Sequence, residues 1–194
     1  VREENGIDPN RDFPYGKEPA ECMQTTAARA INEIYRAHLF QLAITFHGGM
    51  RAIAYEWGAP NAQQGGSDFS PDDGALLPLG EAMVRAAGSD GYYPTGALNP
   101  LVYPVTGGME DWAYAGSWDS SGYAKPCRPK TVFPGVGASK KEAPYSEERT
   151  TYTECGDALR AFNILVETAD EKAPAEGTLG SSDAVLRRGL GEGA

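Results

Sequence analysis

Leu39-Phe40-Gln41-Leu42-Ala43-Ile44-Thr45-Phe46, closed by His47-Gly48-Gly49, is the stretch on which the fold depends. Its apolar run reads as a buried strand, and the glycine pair ends it in a turn. Before it, from about Pro19 to His38, Ala28, Ile31, Ile34 and Tyr35 recur at helical spacing. Glu18 and Glu21 lie near the start of that helix, where its dipole favours negative charge. A helix, then an apolar strand, then a glycine turn is the order of an α/β protein. In such folds ligands collect where the strands end.

Working outward, residues 50–57 read as a second short strand carrying Ile53, Tyr55 and Trp57. Residues 58–74 are rich in Gly, Pro, Asn, Gln, Ser and Asp and read as an exposed loop. Leu76 to Ala87 reads as a helix with Pro78 near its first turn, where proline is tolerated. A Gly/Tyr/Pro/Asn loop runs on to Leu101, and Trp112 to Tyr114 sit on a short helix. Residues 116–158 form a polar stretch longer than an ordinary connection. Ala161 to Val166 reads as a central strand with Glu167 at its end. The tail from Ala173 is rich in Gly and Ser, with a brief helical possibility at Asp183–Arg188.

The composition narrows the function classes. A chain of 194 residues can bury a sizeable core, and 41% hydrophobic with 10% aromatic content is that of a folded protein. A formal charge of −10 argues against a nucleic-acid surface, which needs clustered Lys and Arg. It mildly favours cationic partners. No apolar run approaches the roughly 20 residues needed to span a bilayer. The three cysteines, Cys22, Cys127 and Cys155, match no Cys-x-x-Cys pattern. Cys127 and Cys155 flank much of the polar stretch, and a disulfide closing it would place the protein in an oxidising compartment, secreted or extracytoplasmic. Cys22 is then free or bonded to a segment outside the sequence. Three unpaired thiols are the alternative.

Four short blocks carry chemistry. Asn10-Arg11 lies in a tight turn set by Gly6, Asp8 and Pro9. A guanidinium beside an amide can hold a carboxylate through parallel hydrogen bonds, although a surface arginine is the commoner reading. His47, one of two histidines with His38, closes a strand. Such a histidine is more often structural than a ligand, and a catalytic zinc wants three protein ligands, which one histidine cannot supply. Tyr103, between glycine-containing loops, is a packed aromatic or a lid bearing a phenol. Glu167 follows an apolar run, as a solvent-facing acid or as a general base. Glu154 and Glu171 are alternatives for that base, and Glu167 is preferred because it directly follows Phe162–Val166.

The order of these blocks resembles that of the zinc metallocarboxypeptidases. The resemblance rests on Gly6-Ile7-Asp8-Pro9-Asn10-Arg11-Asp12-Phe13-Pro14, on Thr45-Phe46-His47-Gly48-Gly49, and on Val102-Tyr103 with Gly107-Gly108-Met109-Glu110-Asp111-Trp112-Ala113-Tyr114. The fourth block is Phe162-Asn163-Ile164-Leu165-Val166-Glu167-Thr168. It implies an α/β fold with a mixed, twisted central sheet flanked by helices and incomplete at its N-terminal side. By position, Asn10 and Arg11 would bind the substrate's terminal carboxylate and His47 would be the third zinc ligand. Tyr103 would close over the substrate and Glu167 would be the catalytic glutamate. Glu110 falls where the family's pocket for the departing side chain is lined, and an acid there goes with C-terminal Lys or Arg. The regulatory branch of the family places its pocket acid shortly after the histidine; here that region reads Tyr55-Glu56-Trp57-Gly58, and Gly58 cannot serve.

Two departures accompany the resemblance. The family's other zinc ligands, a His-x-x-Glu, and an arginine that stabilises the oxyanion all lie upstream of the Asn-Arg turn. The chain therefore reads as the C-terminal two-thirds of a single catalytic domain, with a polar insertion at about 116–158. The implied function is zinc-dependent removal of a C-terminal residue, with peptide or protein C-termini and the N-terminal part of the domain as partners. One zinc ion would be shared with ligands in that part. An inactive, peptide-binding or structural relative is the rival from another class. A deacylase or side-chain deglutamylase is a third reading, and the Asn10-Arg11 pair disfavours it.

Overall fold

Three hydrogen bonds fix the start of the first helix. The Thr25 hydroxyl accepts from Ala28 N at 3.2 Å, and the Glu4 carboxylate takes both Thr26 N and the Thr26 hydroxyl at 2.7 and 2.8 Å. These satisfy amides that a helix start leaves without intrahelical partners. Helix α1 accordingly spans Thr26–Ala37, shorter than the sequence pattern suggests, and both Glu18 and Glu21 precede it. Residues 3–4, 6–18, 21–38, 40–60, 69–87, 92–115, 133–134, 140–141, 161–173 and 175 are described here from a computed structural model.

After α1 come strands β1 (Leu42–His47) and β2 (Met50–Tyr55), helix α2 (Asp73–Ala86), strand β3 (Thr95–Ala97), and helices α3 (Leu98–Leu101) and α4 (Met109–Ala115). Strands β4 (Phe133–Pro134) and β5 (Lys140–Lys141) form a small antiparallel pair, and β6 spans Phe162–Ala169. The main sheet has the order β1-β6-β2-β3. β1 runs parallel to β6, β2 antiparallel to β6, and β3 parallel to β2. This mixed sheet with flanking helices is the α/β architecture expected. The polar stretch at 116–158 and the possible helix at Asp183–Arg188 fall largely or wholly outside the described residues.

Alternation along the strands sorts the side chains onto two faces. On one face Ile53, Tyr55 and Ile164 pack with Leu76 and Val84 of α2. On the other, Ala54 and Leu165 meet Leu98 with Leu101, Val102 and Val105 beside them. A third cluster joins Phe13, Tyr15, Cys22, Met23, Ala28 and Tyr35 to Trp57, Trp112 and Tyr114. Rings organise it: Tyr15 stacks on Trp57 at 5.3 Å between centroids, and Trp57 meets Tyr114 edge-on at 5.2 Å.

Three expectations are corrected. β1 is an edge strand, not a buried one, with Leu42, Ile44 and Phe46 50%, 47% and 74% exposed. Pro78 lies inside α2 rather than near its first turn, where it removes one backbone hydrogen bond. Thr95–Ala97 and Leu98–Leu101, read as loop, form β3 and α3. Their tertiary pairing overrides the turn-forming residues around them.

Candidate functional site

The Asn-Arg turn is a single turn of 3₁₀ helix, Pro9–Arg11, capped by the Asp8 carboxylate, which accepts from Asn10 N at 3.0 Å. Proline at its first position presets the backbone. Asp12, fully buried behind it, accepts from Thr25 N at 2.6 Å. Burial raises the Asp12 pKa above the usual carboxylate value, against the pull of those amide bonds. The Arg11 guanidinium donates to Asn10 O at 2.6 Å and to the Tyr103 hydroxyl at 3.0 Å. Gly107 holds the facing loop at φ +73°, and a Cβ there would run into the Arg11 carbonyl. Glycine alone allows that approach.

His47 and Glu167 come together through sheet register. They are direct partners on the parallel β1–β6 ladder, so both project to the same face. Nδ1 of His47 lies 2.9 Å from one Glu167 carboxylate oxygen and 3.0 Å from the other. Glu167 is 4% exposed and lies within β6, not beyond its end. Of the alternatives for its role, Glu171 is exposed past the end of the strand, and Glu154 lies outside the described residues.

The block Gly107 to Tyr114 explains itself in contacts. Asp111 is buried, and its two carboxylate oxygens accept from Gly58 N at 2.8 Å and Ala59 N at 2.7 Å. Burial raises its pKa to about 7 despite those donors. Trp112 is fully buried, and the Tyr114 hydroxyl donates to Asp72 Oδ2 at 2.6 Å just before α2. Glu110 is 3% exposed and takes a hydrogen bond from the Thr45 hydroxyl at 3.0 Å.

One small cleft, about 20 Å³ in volume, is lined by Asn10, Arg11, His47, Tyr103, Glu110 and Glu167. Leu98, Val102, Val105 and Leu165 supply its apolar wall. Tyr103 is half-exposed at this cleft. All six residues singled out from the sequence therefore share one space, although they come from four separate blocks. Sequence reading quoted Thr45 and Asp111 within its blocks but gave neither a role, since their partners lie 65 and 52–53 positions away. It gave Glu56 no role of its own, yet that side chain is fully buried and accepts from Asn163 N at 2.8 Å.

A family model for zinc carboxypeptidases matches residues 2–128. This chain belongs to the zinc carboxypeptidase family. The match covers Asn10, Arg11, His47, Tyr103 and Glu110, while Glu167 lies beyond it. No curated protein matches the sequence. Members of the family are zinc-dependent peptidases acting on peptide substrates. Among the described residues, no three His, Cys, Asp or Glu side chains gather as a metal site. His47 is the single imidazole lining the cleft, and its Nδ1 faces a carboxylate. Three protein ligands are the norm for catalytic zinc, so the described residues do not by themselves make a zinc site.

Proposed function

We propose that the protein removes the C-terminal residue of peptides and proteins, preferring Lys or Arg, as part of a larger zinc-binding domain. The observation that carries this is the common cleft joining Asn10, Arg11, Tyr103, Glu110, His47 and Glu167. Arg11 and Asn10 hold the terminal carboxylate, because a guanidinium and an amide offer it several parallel donors. That contact makes the enzyme an exopeptidase. Tyr103, half-exposed and already bonded to Arg11, covers the bound residue and excludes water.

The departing side chain lies along Leu98, Val102, Val105 and Leu165, with its cation against Glu110. A carboxylate at the cleft, bonded to a neutral hydroxyl, favours a cation over an apolar group. Glu167 takes a proton from the water that attacks the scissile carbonyl. It passes that proton to the amine nitrogen as the C–N bond breaks. His47 would be one ligand of the zinc, with the others supplied by a His-x-x-Glu outside this sequence. When bound, the metal contributes Lewis acidity at the carbonyl.

The open edge of β1 supports a companion segment. A strand that runs parallel to its neighbour is ordinarily covered on both faces, yet Leu42, Ile44 and Phe46 are not. The proposed occupant is the N-terminal part of the same domain. We place the protein in an extracytoplasmic compartment, with a disulfide through Cys22. This is supported by a fully buried Cys22 sulfur in disulfide linkage. The Cys127–Cys155 closure falls outside the described residues.

The test is intact mass with zinc analysis on native protein, reducing and non-reducing, followed by hydrolysis of hippuryl-Arg against its C-terminal amide. About one zinc per molecule, with cleavage of the free acid alone, is the expected result. Zinc-replete protein that binds the free acid without cleaving it would overturn the enzymatic reading and make the protein a peptide binder.

A further inference from the structure

Glu110 does not hold its position alone. On one side the Thr45 hydroxyl donates to Glu110 Oε1 at 3.0 Å. On the other side lies Gly108, where an added Cβ would come to 2.8 Å from Glu110 Oε2. Thr45 is on β1, directly opposite Leu165 of β6 in register, and strand alternation gives it the same face as His47. The carboxylate is therefore seated between one hydroxyl donor and one absent methyl group. Among the described residues, Oε2 accepts no hydrogen bond.

The seat matters because a glutamate side chain has three torsions, and fixing them costs entropy that must be recovered elsewhere. A free carboxylate at the cleft could turn from the substrate. One oxygen held by Thr45 fixes the plane of the group and leaves the second oxygen for a ligand cation. Thr45 also fits its strand, since β-branched residues favour that backbone. Gly108 acts by omission, leaving the volume that Oε2 occupies.

We infer that Thr45 and Gly108 are positioning residues that aim the Glu110 carboxylate at the departing side chain. Selection of basic C-terminal residues is thereby set by three residues rather than one. This rests on the specificity proposed above, and the experiment separates the two. Calorimetric titration of the intact protein with Nα-acetyl-L-arginine and with Nα-acetyl-L-leucine gives a ratio of affinities. The ratio is compared across wild type, Glu110→Gln, Thr45→Val, Thr45→Ser and Gly108→Ala, with a thermal melt of each.

Wild type is expected to prefer the arginine ligand, and Glu110→Gln to lose the preference. Thr45→Val should lower the ratio about tenfold, as expected for one hydrogen bond to a charged group, and Gly108→Ala should lower it by displacing Glu110 Oε2, which lies 2.8 Å from the added Cβ. Thr45→Ser should restore it. A general loosening of structure would weaken both ligands alike and leave the ratio unmoved. If Glu110→Gln abolishes the preference while Thr45→Val and Gly108→Ala keep it, the positioning role is wrong and the specificity stands. If wild type shows no preference, or Glu110→Gln retains it, the specificity falls and the positioning role falls with it. Should Thr45→Val fail to fold, Gly108→Ala decides, because the only close atom its methyl meets is the mobile end of Glu110.

Discussion

Replacing Glu56 with glutamine should stabilise the protein relative to wild type, by a margin that grows as the pH rises. Glu56 is fully buried, Oε1 accepts from Asn163 N at 2.8 Å, and Oε2 has no hydrogen-bond partner. Loss of water, reinforced by the nearby Asp111 and Glu110 charges, raises its pKa well above the ordinary 4.5. The folded state thus binds the proton more tightly than the unfolded state. Between the two pKa values, unfolding releases a proton, so raising the pH favours the unfolded chain. Stability contributed by the neutral acid is complete below 4.5 and falls as the pH climbs towards the folded value. Each pH unit in that window removes about 1.4 kcal/mol. Glutamine keeps the acceptor oxygen and cannot ionise, so Glu56→Gln should gain on wild type by about that amount per unit. Urea unfolding at a series of pH values from about 5 upward measures the difference directly. Asp111, raised to about 7 by burial, adds a slope of the same sign that persists in the single variant and disappears in Glu56→Gln/Asp111→Asn. Parallel pH profiles for wild type and Glu56→Gln would refute the reasoning.

Three other expectations follow from the same contacts. Arg11→Lys keeps the charge but loses the planar fork, so affinity for peptides with a free C-terminal carboxylate should fall about tenfold in a binding titration, with amidated peptides unaffected. Gly107→Ala puts a side chain at φ +73° against the Arg11 carbonyl; chemical denaturation should show a loss of about 1–3 kcal/mol, with weaker carboxylate binding. In the 194-residue chain without a companion segment, Phe46→Asn should change stability by no more than about 0.5 kcal/mol, since Phe46 is 74% exposed there. Light scattering should show less concentration-dependent association of that variant, because the apolar β1 face is what it interrupts.

The sequence made the strands of this fold visible where apolar runs ended in glycine or acid, as at Leu42–His47 and Phe162–Val166. It hid whether a strand is central or at the edge. Alternating Leu42, Ile44 and Phe46 look the same whether or not a layer covers them. Helix α1 was legible from Ala28, Ile31, Ile34 and Tyr35, but its start depends on Glu4, which is remote in sequence from Thr26. At the site, the residue types were legible because Asn-Arg, a strand-end histidine and Asp-Trp-x-Tyr are distinctive in order. What holds them was not. Thr45 reads as an ordinary strand residue, and only tertiary folding brings it to Glu110. Glu56 drew no role from the sequence, because its burial and its bond from Asn163 N arise only in the folded chain.

The β1–β6 ladder has a consequence for how this cleft can fail. His47 faces Glu167 because Leu42 aligns with Phe162 and every later pair keeps step. Slipping β1 by one residue would carry His47 to the opposite side of the sheet and turn Phe46 towards the cleft. The strands would remain hydrogen-bonded and the chain would still look folded by its overall secondary structure. Backbone alignment thus serves the chemistry as a ruler, and substitutions at Leu42 or Ile44, remote from any substrate, can erase function by shifting its zero.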